Sequence, residues 1–337
     1  MKLYFTIVAS LLMTIVHAQK FSLLKDINTL ANTDGSSPEN FIEINGLTYF
    51  AATTLTAGTE LWKSDGTETG TVVFKDINVG TTSSNPKNLT NVNGTLFFSA
   101  SDGVNGTELW KSDGTETGTV VVKDIDVGVT SSNPTNLTNI NGTLFFSASD
   151  GVNGIELWKS DGTEAGTMMV KDIFAGSITS NPKLMTNVNG TLFLSANDGV
   201  NGAELWKSDG TETGTVMVKD INAGAGSSSP SHLVNVNGSL FFTANDGVNG
   251  TELWKSDGTV ASTVVVKDIN IGTNSSNPSF LANENGILFF RANDGISGTE
   301  FWKSDGTEAG TVMVKDINAG AGNSNPILFT NINGTLY

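Results

Sequence analysis

The sequence predicts an all-β fold, a β-propeller of four-stranded blades, and three observations predict it. Trp62, Trp110, Trp158, Trp206, Trp254 and Trp302 recur every 48 residues, each inside ELWKSDGT or, once, FWKSDGT. The 38 glycines, the 15% of charged residues and the absence of cysteine describe a turn-rich chain held by packing rather than by disulfides. The apolar runs within each unit are short and bounded by Gly, Asn and Asp, which punctuate strands rather than helices. A unit of this size cannot bury its apolar surface alone, so stacked copies absorb the chain as one body.

Residues 1-18 read as a cleaved secretory signal peptide. Lys2 precedes an apolar run from Leu3 to Val16, and the small residues Val16 and Ala18 stand where a signal peptidase reads. The run is shorter than the roughly 20 residues that span a bilayer. Residues 19-337 are then the propeller domain.

One unit, residues 89-125, is expected to hold four strands: Leu89 to Val92, Thr95 to Ala100, Glu108 to Ser112 and Thr119 to Ile125. Asn93-Gly94 suits a two-residue hairpin turn that needs positive φ twice. The loops SDGVNG and DGTETG make the other two connections, and Asp-Gly in the second is again a hairpin signal. Leu96, Phe97 and Phe98 are apolar in succession, as are Val120, Val121 and Val122, so both faces of the sheet call for burial. Trp110 is expected to pack between neighbouring blades.

Six whole units run from residue 39 to residue 320. Phe21 to Asn28 matches a fourth strand and Ile327 to Tyr337 matches the first two, so the ends are expected to form a partial seventh blade, in a chain truncated at its C-terminus. An open solenoid is the alternative arrangement of such repeats.

At ELWKSDGTETGT the chain resembles the ELWxxDGT-repeat proteins, secreted bacterial proteins found mostly in the Bacteroidetes. The resemblance covers residues 21-337. It implies an extracellular or cell-surface protein, often part of a larger one exported with a C-terminal sorting domain of the type IX pathway, which is missing from residues 1-337. It carries no activity onto particular residues.

The chain holds 34 acidic against 18 basic residues, a formal net charge of −16 that becomes one unit more negative when Lys2 is removed. Without Lys/Arg clusters such a surface disfavours nucleic acid and anionic membranes, and no membrane insertion is expected. The partner expected is an extracellular ligand, glycan or protein.

Candidate chemistry is sparse. Asp102, Asn105 and Glu108 offer oxygen ligands of the kind calcium takes, and they recur as Asp150, Asn153, Glu156; Asp198, Asn201, Glu204; and Asp246, Asn249, Glu252. In the first unit Thr54 and Ala57 replace the Asp and Asn. The set lacks the order of an EF-hand loop, and Asp and Asn also serve as turn formers. SDGT, as at Ser112 to Thr115, reads as a structural turn, and the Asn93-Gly94-Thr95 sequon is explained by the same hairpin.

Catalysis is sought where the repeat breaks. His232 reads as a surface histidine without a partner, Arg291, the only arginine, as drift at the Ser99 position, and Glu43 and Glu284 as carboxylates on first strands near the channel, the pair a glycosidase uses. No catalytic, cofactor-binding or metal-ligating residue is assigned. The expected function is a non-catalytic binding, adhesion or scaffold module, with a carbohydrate-active hydrolase or lyase and a structural spacer as its alternatives.

Overall fold

The computed structural model describes residues 23–28, 35–327, 329, 331–332 and 335–336, so the expected signal peptide lies outside the described residues. Among the described residues there is no helix, hence none long and apolar enough to cross a membrane. The strands form six four-stranded antiparallel sheets and one two-stranded sheet. Blade one comprises β1 (Glu39–Ile44), β2 (Leu47–Thr54), β3 (Gly58–Ser64) and β4 (Val72–Lys75). Blade two comprises β5 (Lys87–Val92), β6 (Thr95–Ser101), β7 (Thr107–Ser112) and β8 (Val120–Lys123). Blades three to six repeat this meander.

Local chemistry sets each connection. Asn93 and Gly94 hold φ of 51° and 87°, the double positive value of the hairpin turn, and register runs from Val92 opposite Thr95. The connection between β7 and β8 is the expected DGTETG loop lengthened by Thr119, residues 113–119. Its own side chains close it. Asp113 Oδ1 accepts from the Thr115 N–H and hydroxyl, Thr115 Oγ1 accepts from the Gly118 N–H, and the Ser112 and Thr119 hydroxyls meet at 2.8 Å. The fourth strand is also shorter than expected, because Ile125 leaves the ladder to be buried between blades.

The doubly buried strand is realised by alternation. Leu96, Phe98, Ala100 and Trp110 face blade one, where they meet Ile44, Tyr49, Leu61, Phe74 and Ile77. Phe97, Leu109, Val122 and Ile125 face blade three, against Leu144, Phe146, Ala148 and Trp158. Trp110 does lie between neighbouring blades. Val120, expected inside, is exposed, since it sits at the start of the outer edge strand. The same junction recurs along the array, and each fully buried Leu or Phe in it contributes about 1.5–3 kcal/mol.

First strands lie against one another, β1 beside β5 and so on to the first strand of blade six, while fourth strands form the outer edges. Asparagine amides stitch this inner layer. Asn139 Nδ2 donates to the Asn91 carbonyl at 3.1 Å, and Asn88 Nδ2 to the Pro134 carbonyl at 3.1 Å.

The ends behave as fractions of a unit. Leu23 to Asn28 forms no strand, yet Ile27 packs on Phe50, Ala52 and Trp62 as Ile125 packs on Phe146, Ala148 and Trp158. Lys25 Nζ reaches the Thr71 carbonyl at 2.7 Å, as Lys123 reaches that of Thr167 at 2.9 Å. At the other end Asn331–Ile332 and Thr335–Leu336 pair as the expected hairpin.

Candidate functional site

Each blade has a turn end, carrying the Asn-Gly turn and the loop that opens on SDGT, and a linker end, carrying the loop between the second and third strands and the connection that follows the fourth. The two ends use their polar residues differently.

At the linker end the glutamate of ELW is wholly buried in every blade. Glu108 Oε1 accepts the Ser132 N–H at 2.8 Å, while Oε2 accepts the Ile125 N–H at 2.9 Å and the Ser132 hydroxyl at 2.6 Å. It therefore clamps both ends of the outgoing linker to the middle of its own sheet. Desolvation raises the pKa of Glu60, Glu108, Glu156, Glu204 and Glu252, against the hydrogen bonds that lower it. Glu300 goes the other way: burial still raises, but the bonds from Ser324 and Ile317 prevail and its pKa falls.

This clamp removes Glu108 from the oxygen set drawn from the sequence. Asp102 and Asn105 turn to each other instead: Asp102 Oδ1 accepts the Val104 and Asn105 N–H groups at 2.9 and 2.8 Å, and Oδ2 accepts from Asn105 Nδ2 at 2.7 Å. Burial pushes its pKa up, yet these bonds outweigh it and hold the carboxyl below the usual range. The same closure occurs at Asp150, Asp198 and Asp246. In blade one Thr54 Oγ1 takes the role, accepting the Ala57 N–H. Among the described residues no three His, Cys, Asp or Glu side chains are grouped to hold a metal ion.

At the turn end two of the junctions open into grooves. Between blades one and two a cavity of about 210 Å³ is lined by Asn45, Tyr49, Gly94, Ser112, Asp113 and Gly114. Between blades three and four a cavity of about 200 Å³ is lined by the matching Asn141, Phe145, Gly190, Ser208, Asp209 and Gly210, with Lys159. The glycine of SDGT is required here, because a Cβ on Gly210 would lie 3.0 Å from the Phe145 ring at a φ of +87°. Gly162, Gly258 and Gly306 meet Phe97, Phe193 and Phe241 in the same way. Lys159 Nζ crosses the junction to the Gly210 carbonyl at 2.8 Å, and Lys111, Lys207 and Lys255 do likewise. Each groove thus presents an aspartate, an asparagine and an aromatic edge. The SDGT sequence folds as a turn and also supplies a wall, a second use that its uniformity conceals.

The breaks in the repeat are placed as follows. Glu43 pairs across from Thr48, and Glu284 across from Ile287 with Oε1 accepting from Asn285 Nδ2 at 2.6 Å. They stand one register position apart within the unit, on first strands of blades one and six, hence on opposite faces of the strand. His232 is not partnerless: Nδ1 lies 3.3 Å from Ser231 Oγ and 3.4 Å from Thr243 Oγ1. Arg291 is not idle either, since Nε donates to Ser279 Oγ at 2.9 Å and the guanidinium lies 4.5 Å from the Phe280 ring centroid. Desolvation and the Arg291 charge lower the His232 pKa. Two residues passed over in the sequence belong with these breaks. Tyr49 replaces the Phe of later grooves, and its phenol pKa is raised by burial and by Asp113. Phe280 stands where blades one to three carry Asn40, Asn88 and Asn136.

No family model and no curated protein matches the chain. Among solved structures it is similar to a prolyl endopeptidase at a TM-score of 0.50 and 12% identity, covering 84% of this chain and 43% of that one. It is similar to the designed protein Ika8 at 0.47 and 16% identity (85% and 76% covered), and to a puromycin-hydrolyzing peptidase of Mycobacterium tuberculosis at 0.47 and 9% (84% and 45% covered). The chain spans less than half the length of these peptidases. The meander of six four-stranded blades makes the chain a repeat protein of β-propeller architecture, and the likeness to the endopeptidase extends to fold alone.

Proposed function

We propose that the chain is a non-catalytic binding module, secreted or held at the cell surface, that engages an extracellular ligand through the grooves repeated at its blade junctions. One observation carries this reading: the same aspartate, asparagine and aromatic edge return at successive junctions, whereas the symmetry-breaking carboxylates Glu43 and Glu284 stand at different register positions on separate blades. Repeated weak sites on a rigid frame give avidity without a strong single contact. Grooves of about 200 Å³ are smaller than the roughly 300–1,000 Å³ of a pocket that encloses a drug-sized molecule, and fit one unit of a polymer.

Co-sedimentation of the whole chain with insoluble glycans and matrix proteins tests the proposal. Binding to a polymer at least about 100-fold tighter than to its single repeating unit is expected. It should be lost when Asp113, Asp161, Asp209, Asp257 and Asp305 are all changed to Asn, a change that keeps the Oδ1 acceptor of each turn. Absence of binding to every polymer tested would overturn it.

A further inference from the structure

We infer that Arg291, His232 and Phe280 form a single carboxylate-binding site at the linker end of the inner strands of blades five and six, separate from the repeated grooves. Its foundation is a convergence of departures. Position for position, the second residue of the first strand reads Asn40, Asn88, Asn136, Leu184, His232 and Phe280 through the six blades. On the second strand, the residue paired with the position just before it reads Ala51, Ser99, Ser147, Ser195, Thr243 and Arg291. The only arginine of the chain, its only histidine besides His17, and a Phe in place of Asn therefore occupy two adjacent repeats at one level of the inner layer.

Register brings them together. Ser279 lies opposite Arg291 across the first two strands of blade six. In earlier blades the residue at the His232 position reaches the next blade at its proline carbonyl, as Asn88 reaches Pro134 and Asn136 reaches Pro182. His232 holds that position on the first strand of blade five, which lies against the first strand of blade six, and the Arg291 charge reaches its imidazole.

One feature points to a ligand. In a chain with 34 acidic residues, no carboxylate among the described residues pairs with Arg291. Its Nε is held by Ser279 and one face is covered by Phe280, so the outer edge of the guanidinium remains for a bidentate acceptor. Phe280 holds a φ of 55°, as Leu184 and His232 hold 59° and 52° at the same position of the repeat, a left-handed value that Asn tolerates and a bulky side chain resists. The ligand should be a monoanion: the one permanent positive charge of the site is the Arg291 guanidinium, which suits a carboxylate better than a doubly charged phosphate.

The imidazole is the reporter. In NMR titrations of the full chain, with the His232 resonances identified by the His232→Gln variant, glucuronate and N-acetylglycine are the carboxylate probes, glucose the neutral control and inorganic phosphate the rival anion. Saturable movement of the His232 resonances by a carboxylate is expected, with a rise in its pKa because the bound anion cancels the Arg291 charge. Response to glucuronate alone would assign the source to acidic sugars, and response to both probes to carboxylates in general. Arg291→Gln should abolish the response and Arg291→Lys weaken it about tenfold, one charge-assisted hydrogen bond being lost. Phe280→Asn, which restores the residue of the earlier blades, should raise thermal stability while weakening binding. It keeps the test informative if Arg291→Gln misfolds. A carboxylate response unchanged in Arg291→Gln, saturation by phosphate alone, or no response to any probe would overturn the inference.

Discussion

The fourth and sixth units have nearly the same sequence and the same four strands, yet they differ in what lies on one face. Val218 and Ile221 are 3% and 6% exposed under blade five, whereas their counterparts Val314 and Ile317 are 43% and 57% exposed. The ELW glutamate responds to the same difference. Glu204 and Glu300 keep the same three donors, but desolvation wins at Glu204 and the hydrogen bonds win at Glu300. A unit's internal bonds are thus its own, while most of its apolar burial belongs to the junction with its neighbour.

The comparison is broken most severely at the glutamate. Glu204→Ala leaves three buried donors unsatisfied, at about 1–3 kcal/mol each before relaxation. Urea denaturation should show a loss of about 3–5 kcal/mol, with Glu300→Ala losing clearly less. Equal losses would mean that the clamp acts within the unit and owes nothing to the covering blade. Next in size is the junction itself. Ile221→Ala should cost about 2–4 kcal/mol as a cavity mutation, and Ile317→Ala under about 1 kcal/mol.

The pH dependence sharpens the contrast further. Five glutamates have folded-state pKa values raised above 4.5, so the folded state binds more protons than the unfolded one. Their contribution is fully present below about pH 4.5 and is lost as pH rises through the folded values. The turn aspartates, such as Asp113 and Asp209, are held below 3.8 by bonds from the next Thr. Their contribution is present above that pH and is lost as pH falls. Melting temperature should therefore peak near about pH 4–5, between the two windows. Glu→Gln at the five interior positions should flatten the alkaline limb, whereas Glu300→Gln should leave that limb in place.

The smallest effect concerns two glycines with nearly equal backbone. Gly210→Ala meets both a left-handed φ and the Phe145 ring, while Gly66→Ala meets only the φ, with nothing within 4 Å. Both should destabilise, Gly66→Ala by about 1 kcal/mol and Gly210→Ala by about 1 kcal/mol more, in thermal melts of the two variants.

Much of the fold was legible before the structure. Trp spacing marked the unit, and successive apolar residues in LFF announced a sheet buried on both faces. The candidate sites were less so. Asp102, Asn105 and Glu108 are close in sequence, but a strand carries Glu108 away from the loop and across to Ser132, 24 residues on. His232 and Arg291 are 59 residues apart, and only the packing of the first strand of blade five against that of blade six brings the Arg291 charge to the imidazole. A uniform motif such as SDGT hides its second use, since a groove wall needs the aromatic of the preceding blade to become visible.

By itself the sequence determined the repeat, the hairpin turns and the alternation of faces, because each follows from local φ preference and a two-residue period. Only the tertiary structure decided which blade covers which face, where the ELW carboxylate finds its donors and which departures from the repeat meet. Those outcomes depend on contacts between residues that stand a unit apart, and no local preference encodes them.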